Sequence, residues 1–254
     1  MMANPQDITI TLWVDEKPIT IGEMVVADYR KAEVFRKYGI DYCCGGKKTV
    51  SEVCLSKGLN PQSIQEELAE LDKKPDTADQ DFNNLALDVL ADHIVRRHHG
   101  YVAEALPMLH ELTAKVARVH GERHPELLDI ARHFEAVAGE LRTHMHKEEQ
   151  VLFPYIAKMA EAQRENRPAP RPFFGAIENP IRLMEAEHET AGEGMEAIRR
   201  LSGDYTPPEG ACTSYRVLFA KLDEFEQDLH QHVHLENNIL FPKSIALEKV
   251  LFAQ

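Results

Sequence analysis

Two near-copies, THMHKEEQVLFP at residues 143–154 and QHVHLENNILFP at 231–242, constrain the fold of this chain more than any other feature. Each sets a histidine four residues before a glutamate, His144 with Glu148 and His232 with Glu236, and each closes on Leu-Phe-Pro. Positions i and i+4 of an α-helix share one face about a turn apart. Each copy therefore aims an imidazole nitrogen and a carboxylate at one point, which is half of a metal site.

From Phe82 onward the pattern predicts four long amphipathic helices. The first starts near Asn84 and carries LALDVLADHIVRRHHGYVAEALPML, with Pro107 expected to kink it. The second spans about Pro125 to Ala160, the third about Asn179 to Leu201 and the fourth about Thr213 to Leu247. The linkers QRENRPAPRP and GDYTPPEG are polar or Pro-rich. The predicted fold is all-α, an antiparallel four-helix bundle over residues 82–247 with a small, mainly helical N-terminal domain.

His144 and His232 are 88 residues apart, as are Glu148 and Glu236, and His99 and His188 are 89 apart. One lone histidine followed by one His-x-x-x-Glu thus occurs twice, as a duplicated helical hairpin would give. Val95, Val102 and Leu106 lie at helical spacing from His99, and Leu141, Val151 and Tyr155 from His144. Met184, Ala191 and Met195 flank His188, while Phe225, Leu229 and Ile239 flank His232. All four imidazoles are expected to face the core.

Buried imidazoles and carboxylates without partners are costly, and two facing glutamates repel. Two cations remove both objections. His99, His144, Glu148, His188, His232 and Glu236 are therefore expected to form a carboxylate-bridged dimetal centre. Iron suits this donor set better than zinc, whose closed tetrahedral sites want a different ligand count. With both glutamates and a solvent-derived oxo or hydroxo group bridging, about one position per metal stays open to a small molecule. His146 and His234 compete with His144 and His232, but Glu149 three residues after His146 has Asn237 as its counterpart, so only the i+4 pairs survive in both copies. His99 is preferred to His98 by its 89-residue offset from His188. Glu140 and Asp228, each four residues before a ligand histidine, are candidate acceptors for its second ring nitrogen.

The N-terminal part divides into an extension, residues 1–18, and a small domain, residues 19–76. Ile8, Ile10, Leu12 and Val14 alternate as in an extended segment; Ile21 to Tyr38 looks helical; and Asp41 to Lys48 is a Gly-rich turn containing Cys43-Cys44-Gly45-Gly46. A short helix ends at Gly58, Asn60 caps the next with Pro61 at its first position, and KKPDTADQD, from Lys73 to Asp81, is the expected boundary. Cys43 and Cys44 are candidates for a thiol role, with local N–H groups, Lys47 and Lys48 expected to lower a thiol pKa. Cys54 and Cys212 are expected to be structural.

The 29 basic against 42 acidic residues, a net charge of −13, disfavour nucleic acid as a partner. No apolar run approaches the roughly 20 residues needed to span a bilayer, and no basic-then-apolar leader opens the sequence. Four unevenly placed cysteines make no disulfide framework. A cytoplasmic protein with reduced thiols and no membrane partner is expected, and a homodimer is allowed.

With these residues in hand, the region from Leu85 to Pro242 resembles the hemerythrin-like domain. The whole chain resembles the iron-sulfur cluster repair di-iron proteins of the repair-of-iron-centres (RIC, YtfE/ScdA) family, whose small cysteine-bearing domain FRKYGIDYCCGGKKTV at residues 35–50 resembles. The resemblance carries the family's di-iron ligands onto the six residues derived above. It implies a bacterial cytoplasmic stress protein that restores clusters damaged by nitric oxide or peroxide by supplying iron, with damaged iron-sulfur proteins as partners. Oxygen-carrying hemerythrins use a fifth histidine and a His-x-x-x-x-Asp pair on the last helix, where this chain has His232-x-x-x-Glu236; that argues against a reversible oxygen carrier. The competing readings are a di-iron nitric oxide reductase or peroxidase that turns over, and a module that senses nitric oxide or oxygen and reports through Cys43 and Cys44.

Overall fold

The computed structural model describes residues 18–73 and 81–253. The alternation at Ile8 to Val14 and most of the expected boundary segment lie outside the described residues. All regular structure among the described residues is helical.

Four short helices form the N-terminal part: α1 (Ile21–Ala27), α2 (Lys31–Lys37), α3 (Val50–Lys57) and α4 (Pro61–Asp72). Thr20 and Thr49 open α1 and α3 through capping boxes with Glu23 and Glu52. Asn60 accepts from the Gln62 N–H ahead of Pro61, and Gly58 closes α3 in the left-handed region at φ 66°. Such caps satisfy helix-end groups that would otherwise lack partners, at about 1 kcal/mol each. The stretch expected as one helix from Ile21 to Tyr38 is two. Asp28 leaves α1 in an extended conformation, and its carboxylate accepts from the Arg30 N–H and guanidinium, which turns the chain between α1 and α2.

Four long helices follow. Helix α5 comprises Leu87–Ile94, a π turn at Val95–His99, and Gly100–His120. Helix α6 comprises Glu126–Lys147, a π turn at Glu148–Leu152, and Phe153–Arg164. Helix α7 is Glu178–Leu201, and α8 comprises Thr213–Leu235, a π turn at Glu236–Leu240, and Phe241–Phe252. Helical structure continues on both sides of Pro107, and the irregular turn of α5 lies instead at Val95–His99. Proline does act elsewhere: Pro154 and Pro242 are the second residues after the π turns of α6 and α8. A proline cannot donate its N–H to the preceding turn and its ring crowds that carbonyl, and the wider π turn accommodates both.

Antiparallel pairing is visible in the contacts: His144 of α6 meets Glu187 of α7, and near the other end Val137 lies against Gly194. His120 at the end of α5 lies beside Cys212 at the start of α8, and Arg199 of α7 pairs with Glu226 of α8. Two apolar cores result. One combines the N-terminal helices with Val102 to Ala117, Leu127 to Met145, Ala191 to Ile198 and Tyr215 to Val233. The other combines Leu90 to Ile94, Leu152 to Met159, Ile177 to Met184 and Leu235 to Leu247. Every candidate ligand falls between the two, in a buried polar layer across the middle of the bundle. No helix of the described residues is long and apolar enough to cross a membrane.

Candidate metal centre

The four bundle helices deliver His99, His144, Glu148, His188, His232 and Glu236 to this layer, each at most 3 % exposed. They fall into two tetrads, His99 with Glu148, His232 and Glu236, and His144 with Glu148, His188 and Glu236, each with its ligand atoms within 4.8 Å of one another. Both glutamates belong to both tetrads. Glu236 divides its oxygens: Oε1 lies 3.0 Å from His232 Nε2 and 3.9 Å from His99 Nε2, while Oε2 lies 3.0 Å from His188 Nε2. Glu148 Oε2 lies 3.2 Å from His144 Nε2 and 3.4 Å from His99 Nε2. His144 and His188 bring their Nε2 atoms to 2.9 Å.

Protein atoms alone leave this layer unsatisfied. His99 Nε2, both oxygens of Glu148 and Oε2 of Glu236 are buried without a directed hydrogen bond. Burial pulls the His99 imidazole down, but Glu148 and Glu236 together overcome it and push its pKa up to about 10. Burial likewise opposes His144, and the same two carboxylates lift it to about 9. Glu236 resists burial because His232, His188 and His99 hold its carboxyl well below the usual range. Two carboxylates, four convergent imidazoles and unpaired buried acceptors are a donor set that suits metal cations held in a bundle core.

The second ring nitrogens are held from neighbouring helices. His99 Nδ1 donates to Glu149 Oε1 at 2.8 Å, His144 Nδ1 to Glu187 Oε2 at 2.9 Å, and His188 Nδ1 to Asn237 Oδ1 at 2.9 Å. This leaves Nε2 of each ring as the free lone pair. Glu149 and Asn237 are themselves 88 residues apart, so the repeat extends beyond the six clustered residues. It extends to Leu-Phe-Pro as well: Phe153 stacks on His99 and Phe241 on His188, at ring separations of 5.7 and 6.1 Å.

Glu140 and Asp228 do not play the part expected of them. Glu140 is exposed, and Asp228 pairs with His98 Nδ1 at 3.1 Å. Both were sought on the ligand's own helix, whereas the acceptors come from the facing helices. The signal that would have found Glu149 and Asn237 was the same 88-residue offset. His146 is exposed, and His234 is buried but meets Asn238 and the rings of Tyr29 and Tyr42.

The cysteine turn abuts this layer from the N-terminal side. Asp41 accepts from the backbone N–H groups of Cys43, Cys44 and Gly45, and from the Cys43 thiol at 3.1 Å. The lowered thiol pKa expected here does not arise at Cys43. The Cys44 thiol, burial and the Asp41 carboxylate push it well above its ordinary value, and Lys47 is paired with Glu185 instead. Asn238, two residues beyond Glu236, donates to the carbonyl oxygens of Tyr42 and Cys43 at 3.4 and 3.3 Å. Its counterpart in the first copy, Gln150, is exposed.

Residues 90–244 match the hemerythrin HHE cation binding domain, and residues 18–72 match ScdA_N, a domain of unknown function. The iron-sulfur cluster repair protein YtfE of Enterobacter sp. (strain 638) is 38% identical over 228 residues, covering 90% of this chain and 97% of that one. The chain belongs to the iron-sulfur cluster repair protein family. Family proteins of the same name from Citrobacter koseri and Yersinia pestis (strain Pestoides F) are 36% and 34% identical, covering 90% and 91% of this chain and 97% and 99% of theirs. Membership of this repair family bears out the expected all-helical, hemerythrin-like fold, and the His/Glu clusters are consistent with iron.

Proposed function

We propose that His99, His144, Glu148, His188, His232 and Glu236 hold two iron ions, with Glu148 and Glu236 shared and a solvent-derived oxygen completing the bridge. In this reading the protein repairs damaged iron-sulfur clusters by supplying iron. The observation that carries it is the pair of buried tetrads with both carboxylates in common. Bound iron would supply a held store of the metal that a damaged cluster has lost, with coordination positions left for a small ligand such as nitric oxide or peroxide. The chain's own residues do the rest: Glu149, Glu187 and Asn237 fix the imidazole tautomers, Phe153 and Phe241 fix two ring planes, and the flanking apolar cores restrict water.

Iron-loaded protein is expected to restore activity to a cluster enzyme inactivated with nitric oxide, beyond what an equal amount of free ferrous iron achieves. Recovery no better than that of free iron would remove the donation reading. Multiple turnovers of nitric oxide or peroxide with the iron content unchanged would favour an enzyme instead. Cys43 and Cys44 are assigned a thiol role in receiving or passing iron beside the Asn238 contact, and replacing both by serine is expected to leave the two ions bound while slowing reactivation.

Loading also has a proton signature. With protein atoms alone, His99 and His144 have folded pKa values of about 10 and 9, above the ordinary 6.5. The stability they contribute is therefore fully present below pH 6.5 and is lost as pH rises through 9 to 10. A metal needs the neutral rings, so at pH 7 the two rings are expected to release about two protons per chain on binding, beyond those that solvent gives up in forming the bridge, and this ring contribution falls towards none above pH 10. An indicator titration in weak buffer measures this, and uptake without proton release would contradict it.

A further inference from the structure

The repeat that builds the two tetrads is kept at Glu149 and Asn237 and at Phe153 and Phe241, but it breaks at the residue before each lone histidine. Before His188 stands Glu187, which accepts from His144 Nδ1 at 2.9 Å and also pairs with Lys147. Before His99 stands His98. Its ring lies 5.5 Å from that of His232 and 7° from parallel, and its Nδ1 is engaged with Asp228. His98 thus occupies the place beside His232 that Glu187 occupies beside His144, but it makes no hydrogen bond there: its Nε2 and the His232 Nδ1 are both buried without a partner. Among the described residues none accepts from the buried Nδ1 of His232.

An acceptor behind a ligating imidazole fixes its tautomer and ring orientation and raises its basicity, and losing one costs about 10- to 100-fold in metal affinity. Each half-site has one ring backed by a carboxylate: His99 by Glu149, and His144 by Glu187. The remaining rings differ. His188 is backed by the amide of Asn237, and His232 by nothing of the protein. Glu148 and Glu236 are common to both halves and cannot compensate for the difference.

We propose that the two half-sites hold metal unequally, and that the ion between His99 and His232 is the one that exchanges first and is available for transfer. This rests on the six-residue site proposed above. It makes Glu187 a positioning residue that retains the other ion, and His98 the substitution that leaves its own half-site labile.

The test is release of ferrous iron from fully loaded protein, under exclusion of oxygen, to an excess of a coloured ferrous chelator. The wild type is expected to empty in two phases of equal amplitude whose rates differ by about 10-fold or more. Glu187→Gln is expected to accelerate the slow phase alone by about 10-fold. This side chain is 26 % exposed, so the variant should fold whatever its effect on metal. His98→Gln, which offers an amide oxygen to His232, is expected to slow the fast phase. Release in one phase, or acceleration of the fast phase by Glu187→Gln, would overturn the proposal, as would a folded His98→Gln protein with an unchanged fast phase. Metal content before the chelator is added tests the underlying site separately: fewer than two ions in the wild type would undo that reading and this proposal with it, whereas two ions leaving in one phase would overturn the asymmetry alone.

Discussion

Replacing Glu236 with glutamine is expected to empty both half-sites at once, with metal content falling from two ions per chain to near none by elemental analysis. Its two oxygens face different halves, Oε1 towards His232 and His99 and Oε2 towards His188, so loss of its charge is felt by both and loss of one oxygen by one of them. Glutamine keeps the volume but lacks the charge, and it presents an N–H₂ to one of two imidazoles that must keep its lone pair free. A drop of more than about 100-fold in affinity is expected, beyond the range for losing an outer partner. His188→Ala is the comparison, because it strips one tetrad and is expected to leave one ion bound. The metal-free proteins should differ too. The Glu236 carboxyl is held well below its ordinary 4.5, so its contribution to stability is present above that value and is lost as pH falls below it. Chelator-treated wild type should therefore lose stability to urea on acidification, and Glu236→Gln should lose less. A variant that still carries two ions would remove Glu236 from the ligand set.

The elements that were legible in advance share one property: they repeat. The 88-residue offset selected His144 over His146 and His232 over His234, and in the structure His146 is exposed while His234 packs under Tyr29 and Tyr42. The nearly equal 89-residue offset from His188 chose His99, whose Nε2 faces Glu148, over His98, whose Nδ1 faces Asp228. Long amphipathic periods likewise placed the four bundle helices, because their apolar faces outlast any local irregularity.

What the periods concealed was the π turns at Val95–His99, Glu148–Leu152 and Glu236–Leu240. One extra residue in a turn rotates everything after it by about 100° relative to a regular helix, yet removes no apolar residue from the pattern. Asp28 was concealed for a different reason: a three-residue turn closed by one aspartate is too short to interrupt a helical period. The contact of the cysteine turn with α8 joins residues almost 200 apart, and neither Cys43 nor Asn238 announces the other in sequence.

That contact sets the second large effect, expected from Gly46→Ala. A Cβ on Gly46 would lie 2.5 Å from the Tyr42 carbonyl oxygen, 3.0 Å from Asn238 Oδ1 and 3.1 Å from Gly22 Cα. Two of these three are main-chain atoms that cannot rotate away. Unlike Gly39 and Gly58, with φ of 62° and 66°, Gly46 is not in the left-handed region, so the requirement is for space alone. Relief demands that the turn open at Tyr42 and move away from α1, which strains the Gly22 N–H to Gly46 carbonyl bond and, through the displaced Tyr42 and Cys43 carbonyls, the two bonds from Asn238. Overpacking of this kind costs about 1–3 kcal/mol, or a fall in Tm of roughly 2–12 °C for a chain of this size. Gly139→Ala provides the opposite sign. That glycine is exposed within α6 with nothing within 4 Å of a new Cβ, so alanine there should stabilise by about 0.5–1 kcal/mol. Thiol labelling separates a loosened turn from general destabilisation. Cys43 is 6 % exposed, and its modification should speed up in Gly46→Ala and in Asn238→Ala, which loses the bonds without the clash. Unchanged Tm and labelling in Gly46→Ala would show that the turn does not bear on α8. A faster-reacting Cys43 in both variants would place the hold on the cysteines in Asn238, two residues from Glu236, one of the two carboxylates common to both tetrads.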